Sequence, residues 1–176
     1  MSLPVRKNIR LRTHDYSQSG YYFVTICTNC KRHLFGTVTD GKMVLNDLGL
    51  IVSDHIEDIP NHMKGVAIEK YIVMPNHIHI ILVVLSGSAY CDDSCCDADA
   101  MYGVPTAGKS KQLVPRTIQQ FKASVTRKTK ITDLWQKKYH DHIIREEQDY
   151  LNIWKYIDEN PQRWAEDKYY IETLGL

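Results

Sequence analysis

The stretch YIVMPNHIHIILVV, residues 71–84, constrains what this chain can fold into more than any other. Two apolar runs, GVAIEKYIVM and HIHIILVVL, are separated only by Pro75-Asn76, a turn signal, so they should pair as antiparallel strands. The second run carries two ionisable groups, His77 and His79, where a buried strand is expected. In extended backbone these side chains point to the same face, about 7 Å apart along the chain from a rise of ~3.3 Å per residue. Ile78 faces the other way and anchors the strand between them. Two imidazoles so placed can grip one ion, or each can be a buried polar group satisfied by a neighbour. Two ligands do not complete a metal site, so a third has to come from elsewhere.

The rest of the chain supplies a frame for that hairpin. GYYFVTICTNC is rich in β-branched and aromatic residues and reads as a strand, and HLFGTVTDGKMVLN reads as a hairpin turning at Asp40-Gly41. Leu48, Ile51, Val52, His55, Ile56 and Ile59 recur at helical spacing behind Asn46 or Asp47 as cap, with Pro60 as the stop. VPRTIQQFKASVTRKT places Val114, Ile118, Phe121 and Val125 on one helical face, with basic residues opposite. DLWQKKYHDHIIR reads as an edge strand. In EEQDYLNIWKYIDENPQRW, Tyr150, Ile153, Trp154 and Ile157 form the stripe of a last helix ending near Pro161. This order of elements predicts an α+β class, a ferredoxin-like antiparallel sheet with helices packed on one face.

At 176 residues the chain is most simply one domain, with a basic N-terminal arm over 1–15 and a small, polar, mobile loop over about 86–112. No apolar run approaches the ~20 residues that span a bilayer, and the N-terminus lacks a signal-peptide core. The expected location is the cytoplasm, without a membrane partner. The net charge of +1 hides an asymmetry: Lys109 to Lys138 contains nine basic residues and one acid, Asp133. Arg6, Lys7, Arg10 and Arg12 add four more in the arm. Such segregation fits a surface for a polyanion. Cys27 and Cys30 form a CxxC, yet positions i and i+3 of a strand face opposite ways, so reduced thiols are the better account. Cys91, Cys95 and Cys96 fall in the loop without a recognisable ligand spacing.

The last helix offers the third ligand. Tyr156 and Asn160 stand one above the other at i and i+4, bordering the apolar stripe. The Asn160 amide oxygen is a plausible hard ligand, and the Tyr156 hydroxyl could sit over the same ion. Tyr156 can equally be an amphipathic packing residue with a wet hydroxyl.

Taken together, YIVMPNHIHIIL, the basic helix, LWQKKYHDHIIR and YIDENPQRW resemble the single-tyrosine HUH transposases of bacterial insertion sequences, most closely those associated with repetitive extragenic palindromes (REP). HUH denotes His, hydrophobe, His, here His77, Ile78 and His79. The resemblance runs from GYYFVTICT to RWAEDKYY. It implies a ferredoxin-like catalytic domain with His77 and His79 as metal ligands, Tyr156 as nucleophile and Asn160 as third ligand. The best-known branch of the family has a glutamine four residues after the tyrosine, one methylene longer than Asn160. Tyr150 and Tyr139 are the rival nucleophiles.

The resemblance further implies cleavage and rejoining of single-stranded or hairpin DNA through a 5′-phosphotyrosine, assisted by a divalent ion, Mg2+ or Mn2+. Arg116, Lys122, Arg127, Lys128, Lys137 and Lys138, with the arm, would neutralise phosphates, and Trp135 or Tyr139 would stack on unpaired bases. Family members act as homodimers or alone, and no motif here decides. Two rival readings are a non-catalytic DNA-binding protein derived from a transposase and a metal-dependent hydrolase that does not use the tyrosine.

Overall fold

The computed structural model describes residues 19–85 and 113–170. The basic arm with Arg6, Lys7, Arg10 and Arg12, and the segment 86–112 with Cys91, Cys95 and Cys96, lie outside the described residues. Strands β1 (Gly20–Cys27), β4 (Val66–Met74), β5 (His77–Val84) and β6 (His140–Ile144) form a sheet in the order β4-β5-β1-β6. Each neighbouring pair is antiparallel. The hairpin of β2 (Gly36–Thr39) and β3 (Lys42–Leu45) stands apart from it. Helices α1 (Asp47–Glu57), α2 (Ile59–His62), α3 (Leu113–Thr129) and α4 (Glu147–Glu159) complete the described elements. Between β1 and β6 in the chain, the strand–helix–strand order and the central β5-β1 pair are ferredoxin-like.

Local chemistry accounts for the boundaries. Asp40 (φ 52°) and Gly41 (φ 69°) both take the left-handed conformation that a tight primed turn demands. Asn46 caps α1, its Oδ1 accepting from the Gly49 N–H at 2.9 Å. Pro60 does not end that helix; α1 stops at Glu57, and Pro60 lies in the first turn of α2, where its missing N–H costs nothing.

Alternation along β5 divides its side chains between two covered faces. Ile78, Ile80, Leu82 and Val84 join Tyr22, Val24 and Ile26 of β1 against Val52 and Ile56 of α1 and Val114, Ile118, Phe121 and Val125 of α3. Burying each such side chain contributes roughly 1.5–3 kcal/mol. Ile81 turns the other way, where Phe23, Ile72 and Ile144 meet Ile153 and Ile157 of α4. The helices therefore do not all pack on one face: α1 and α3 cover one side, and α4, which follows the last strand, crosses to the other. His77 and His79 share that second side with α4.

Candidate active site

His77 and His79 are both fully buried, and their Nε2 atoms lie 3.0 Å apart. Strand register sets the pair: His77 stands opposite Cys27 and Met74, and His79 opposite Thr25 and Ile72. Asn76 orients the first ring. Its Nδ2 donates to the Lys31 carbonyl at 3.1 Å and the Tyr169 carbonyl at 2.9 Å, so its Oδ1 is the atom that meets His77 Nδ1 at 2.8 Å. An amide oxygen only accepts, hence His77 Nδ1 carries the proton and Nε2 presents a lone pair. His79 Nδ1 lies 2.8 Å from Thr25 Oγ1, which can accept its proton and free the second Nε2 in the same way. Burial holds both rings neutral, pulling His77 down to about 4 and His79 well below its ordinary value.

Helix α4 brings Tyr156 and Asn160 over the histidines, as their spacing predicts. The Tyr156 hydroxyl lies 3.3 Å from His79 Nε2 and donates to Asp167 Oδ2 at 2.9 Å. Asn160 Nδ2 donates to the same oxygen at 2.8 Å, and the Tyr169 N–H donates to Asp167 Oδ1 at 2.6 Å. Asp167, just past the single turn Trp164–Glu166, was not anticipated from the sequence. No spacing rule reaches it, because the chain folds back after Pro161 to put it there. A ligand atom from each of His77, His79 and Asp167 lies within 4.8 Å of the others. Asn160 Oδ1 is buried and has no hydrogen-bond partner. Such an orphaned acceptor costs about 1–3 kcal/mol, which a cation would offset. Two imidazole nitrogens, a carboxylate and an amide oxygen suit a divalent metal ion.

Burial, reinforced by the neighbouring Asp167 carboxylate, pushes the Tyr156 phenol well above its ordinary value, so it is protonated at neutral pH. Tyr150 donates instead to Glu69 Oε1 at 3.0 Å and packs edge-on against Tyr21. Tyr139 is buried in the core beneath α1 and α3, on the far face of the sheet. A tyrosine that sequence reasoning passed over, Tyr169, is closer: its ring centroid is 4.6 Å from that of His77. Burial pushes Tyr169 up to about 12, and its hydroxyl bonds Thr25. A cleft of about 520 Å³ opens beside Tyr156, Asn160 and Asp167, bordered by Lys155, Arg163 and Lys168.

The residues expected to hold nucleic acid separate by face. Arg116, Arg127 and Lys128 are exposed on α3, and Lys137 and Lys138 are exposed ahead of β6. Helix α3 lies across the sheet from the histidines. Lys122 Nζ donates to the Gln136 carbonyl at 2.8 Å, tying α3 to the strand-like segment before β6. Trp135 and Tyr139 do not form a base-stacking platform. Trp135 packs against Phe35 and Phe121, with centroids 5.6 and 5.7 Å away, and Tyr139 belongs to the same core. Cys27 is buried in β1 while Cys30 is exposed in the turn that follows, and both are free thiols.

No family model matches the chain. An uncharacterized protein of Haemophilus influenzae is 37% identical over 171 residues, which cover 95% of this chain and 94% of that one. A second protein of that organism, provisionally named a REP-associated tyrosine transposase, is 25% identical over 91% of this chain and 78% of its own length. Among solved structures, a REP-associated tyrosine transposase bound to a REP hairpin matches with a TM-score of 0.58 at 20% identity. That match covers 96% of this chain and 77% of the other, and it establishes the shared fold. Along almost its whole length the chain is thus similar to an uncharacterized protein and, more distantly, to one provisionally named a REP-associated tyrosine transposase, and it shares the fold of a solved REP-associated tyrosine transposase.

Proposed function

We propose that this protein cuts and rejoins single-stranded or hairpin DNA by transesterification, with Tyr156 as nucleophile. The observation that carries the reading is the Tyr156 hydroxyl poised 3.3 Å from His79 Nε2 and hydrogen-bonded to Asp167, over a buried histidine pair. Tyr156 Oη forms a bond to the scissile phosphorus while the bond from phosphorus to the 3′ oxygen breaks. The phenolic proton passes to Asp167 Oδ2, and the departing 3′ oxygen takes up a proton from water to become a hydroxyl. One phosphate ester replaces another, so the reverse attack by a 3′ hydroxyl restores the strand without an energy source.

His77, His79 and Asp167 would hold the divalent metal, with Asn160 Oδ1 as a further donor. When bound, that ion supplies positive charge beside the phosphate and the developing phenolate. Asn76 and Thr25 keep the imidazoles oriented, and α4 fixes the hydroxyl relative to them. The named relatives support DNA as the partner, one of them having been solved with a REP hairpin. Arg116, Lys122, Arg127, Lys128, Lys137 and Lys138 are the proposed phosphate contacts on the α3 side, joined by Arg6, Lys7, Arg10 and Arg12.

The test is manganese-dependent nicking of labelled hairpin DNA carrying single-stranded flanks. Wild type should nick it and Tyr156→Phe should not. Binding without nicking, over a library of hairpins, would instead make the protein a non-catalytic DNA-binding derivative. Nicking that survives Tyr156→Phe would make it a hydrolase if no covalent protein–DNA adduct forms, and would move the nucleophile to another tyrosine if one does.

A further inference from the structure

A second cleft, of about 430 Å³, is lined by Phe23, Thr25, Lys31, His140, Lys168 and Tyr169 among others, and Phe23, Thr25 and Tyr169 each touch His77 or His79. It meets the first cleft at Lys168, which lines both. The two differ in how their charge is balanced. In the first, Lys155 pairs with Glu159 at 3.6 Å and Arg163 with Glu166 at 3.2 Å, and Asp167 adds a third acid. In the second, Lys31 and Lys168 form no ion pair among the described residues, and Asp141 is the one acid of its lining. Both ammonium groups lie over one ring, 5.2 and 4.9 Å from the Tyr169 centroid. That ring in turn lies 4.6 Å from His77 by centroids. Both lysines also act electrostatically on His77, favouring its neutral form. Phe23, half-buried and stacked on His79 at 5.1 Å, gives the same cleft an aromatic wall.

We infer that Lys31 and Lys168 form a phosphate-binding subsite for the single-stranded segment of DNA that runs past the histidine pair, entering along the second cleft. The inference rests on the proposed strand transfer, and it assigns the strand to a surface other than α3. An unpaired ammonium beside a nucleophile is useful to a phosphodiester and costs nothing to desolvate until the DNA arrives. The paired cations of the first cleft would have to exchange a carboxylate for each phosphate gained. Lys31 is also partly held in place, its Nζ donating to the Lys168 carbonyl at 3.2 Å.

The experiment measures fluorescence anisotropy of a labelled single-stranded oligonucleotide against salt, without metal, in a Tyr156→Phe background so that cleavage does not contribute. Lys31→Gln/Lys168→Gln should weaken binding about 10-fold or more, and it should make the slope of log affinity against log salt shallower by roughly 1.4, about 0.7 for each lost phosphate contact. Lys31→Arg/Lys168→Arg should restore both. Lys168→Gln alone, at an exposed side chain, should shift the slope by roughly 0.7 and guards against loss of folding in the double variant. Unchanged affinity and slope in the Gln variants would overturn the subsite, as would failure of the Arg pair to restore them. A shifted slope in a protein that never nicks DNA would leave the subsite standing and remove the proposed chemistry. Nicking by Tyr156 with an unshifted slope would do the reverse.

Discussion

Strand β5 presents two faces built from alternate residues of one backbone, and they do opposite work. Ile78, Ile80, Leu82 and Val84 face α1 and α3 in a wholly apolar layer. His77 and His79 face α4 across a polar cluster of Tyr156, Asn160 and Asp167. The first face pins the strand register, and the Asn76 and Thr25 hydrogen bonds turn the two rings so that their Nε2 atoms lie 3.0 Å apart. The second carries buried polar groups that weaken the fold unless they are satisfied. Placing ionisable groups on a strand stiffened from behind fixes the histidine pair, and the turn residues Asn76 and Asp167 complete the cluster around it.

The comparison can be broken from either side. The largest expected effect is on the polar face: His79→Ala should lower manganese affinity by more than the roughly 10–100-fold that losing an outer-shell partner costs, measured by titration calorimetry. It should abolish nicking, and it should cost less stability than the Ile80 cavity because a buried polar group that weakens the fold leaves with the ring. Ile80→Ala, one residue along, should do the opposite. A cavity at this fully buried position costs about 2–5 kcal/mol in denaturant unfolding. Manganese affinity below the melting range should be unchanged. A metal defect in Ile80→Ala, or a fold defect in His79→Ala as large as that of Ile80→Ala, would dissolve the division of labour.

Asn76 lies between the two in effect. Asn76→Ala removes the acceptor that fixes the His77 tautomer, so metal affinity should fall about 10–100-fold. Imidazole nitrogen shifts in the metal-free protein should show the His77 proton on Nδ1 in wild type and partly on Nε2 in the variant. A wild-type proton on Nε2 would contradict the assigned orientation.

The pH dependence spreads its effect over a range rather than concentrating it in one variant. Both histidines have folded values below the unfolded 6.5, so the stability of their neutral burial is fully present above about pH 6.5 and is lost as pH falls toward about 4. The metal-free protein should lose roughly 1 kcal/mol per histidine for each pH unit inside that window. His77→Gln/His79→Gln should flatten the slope. A steeper loss in the double variant would mean that other groups govern acid unfolding.

Much of this frame was legible in the sequence. Asp40-Gly41, the Asn46 cap, the Pro75-Asn76 turn and the stripe of α3 each carry a local rule, and each element formed where that rule puts it. The side taken by α4 was misread, although a signal existed. IILVV does not alternate, as a strand with one wet face would, so both faces of β5 had to be covered. His77, His79, Tyr156 and Asn160 converge as their periodicities imply. Asp167 and Tyr169 were out of reach because an irregular turn after Pro161 positions them. Trp135 and Tyr139 look like surface aromatics amid lysines, and only tertiary packing reveals Tyr139 as core and Trp135 as half-buried against it.

The central claim is that Tyr156, and not its neighbour Tyr169, bonds to DNA. Trypsin would separate the two, since Tyr156 begins the peptide YIDENPQR and Tyr169 begins YYIETLGL. Wild-type protein incubated with manganese and a hairpin substrate would be digested with nuclease and trypsin, and the nucleotide-bearing peptide identified by mass spectrometry. The account predicts the modification on Tyr156 of YIDENPQR. Its appearance on YYIETLGL would contradict the account and move the nucleophile to the ring that packs on His77.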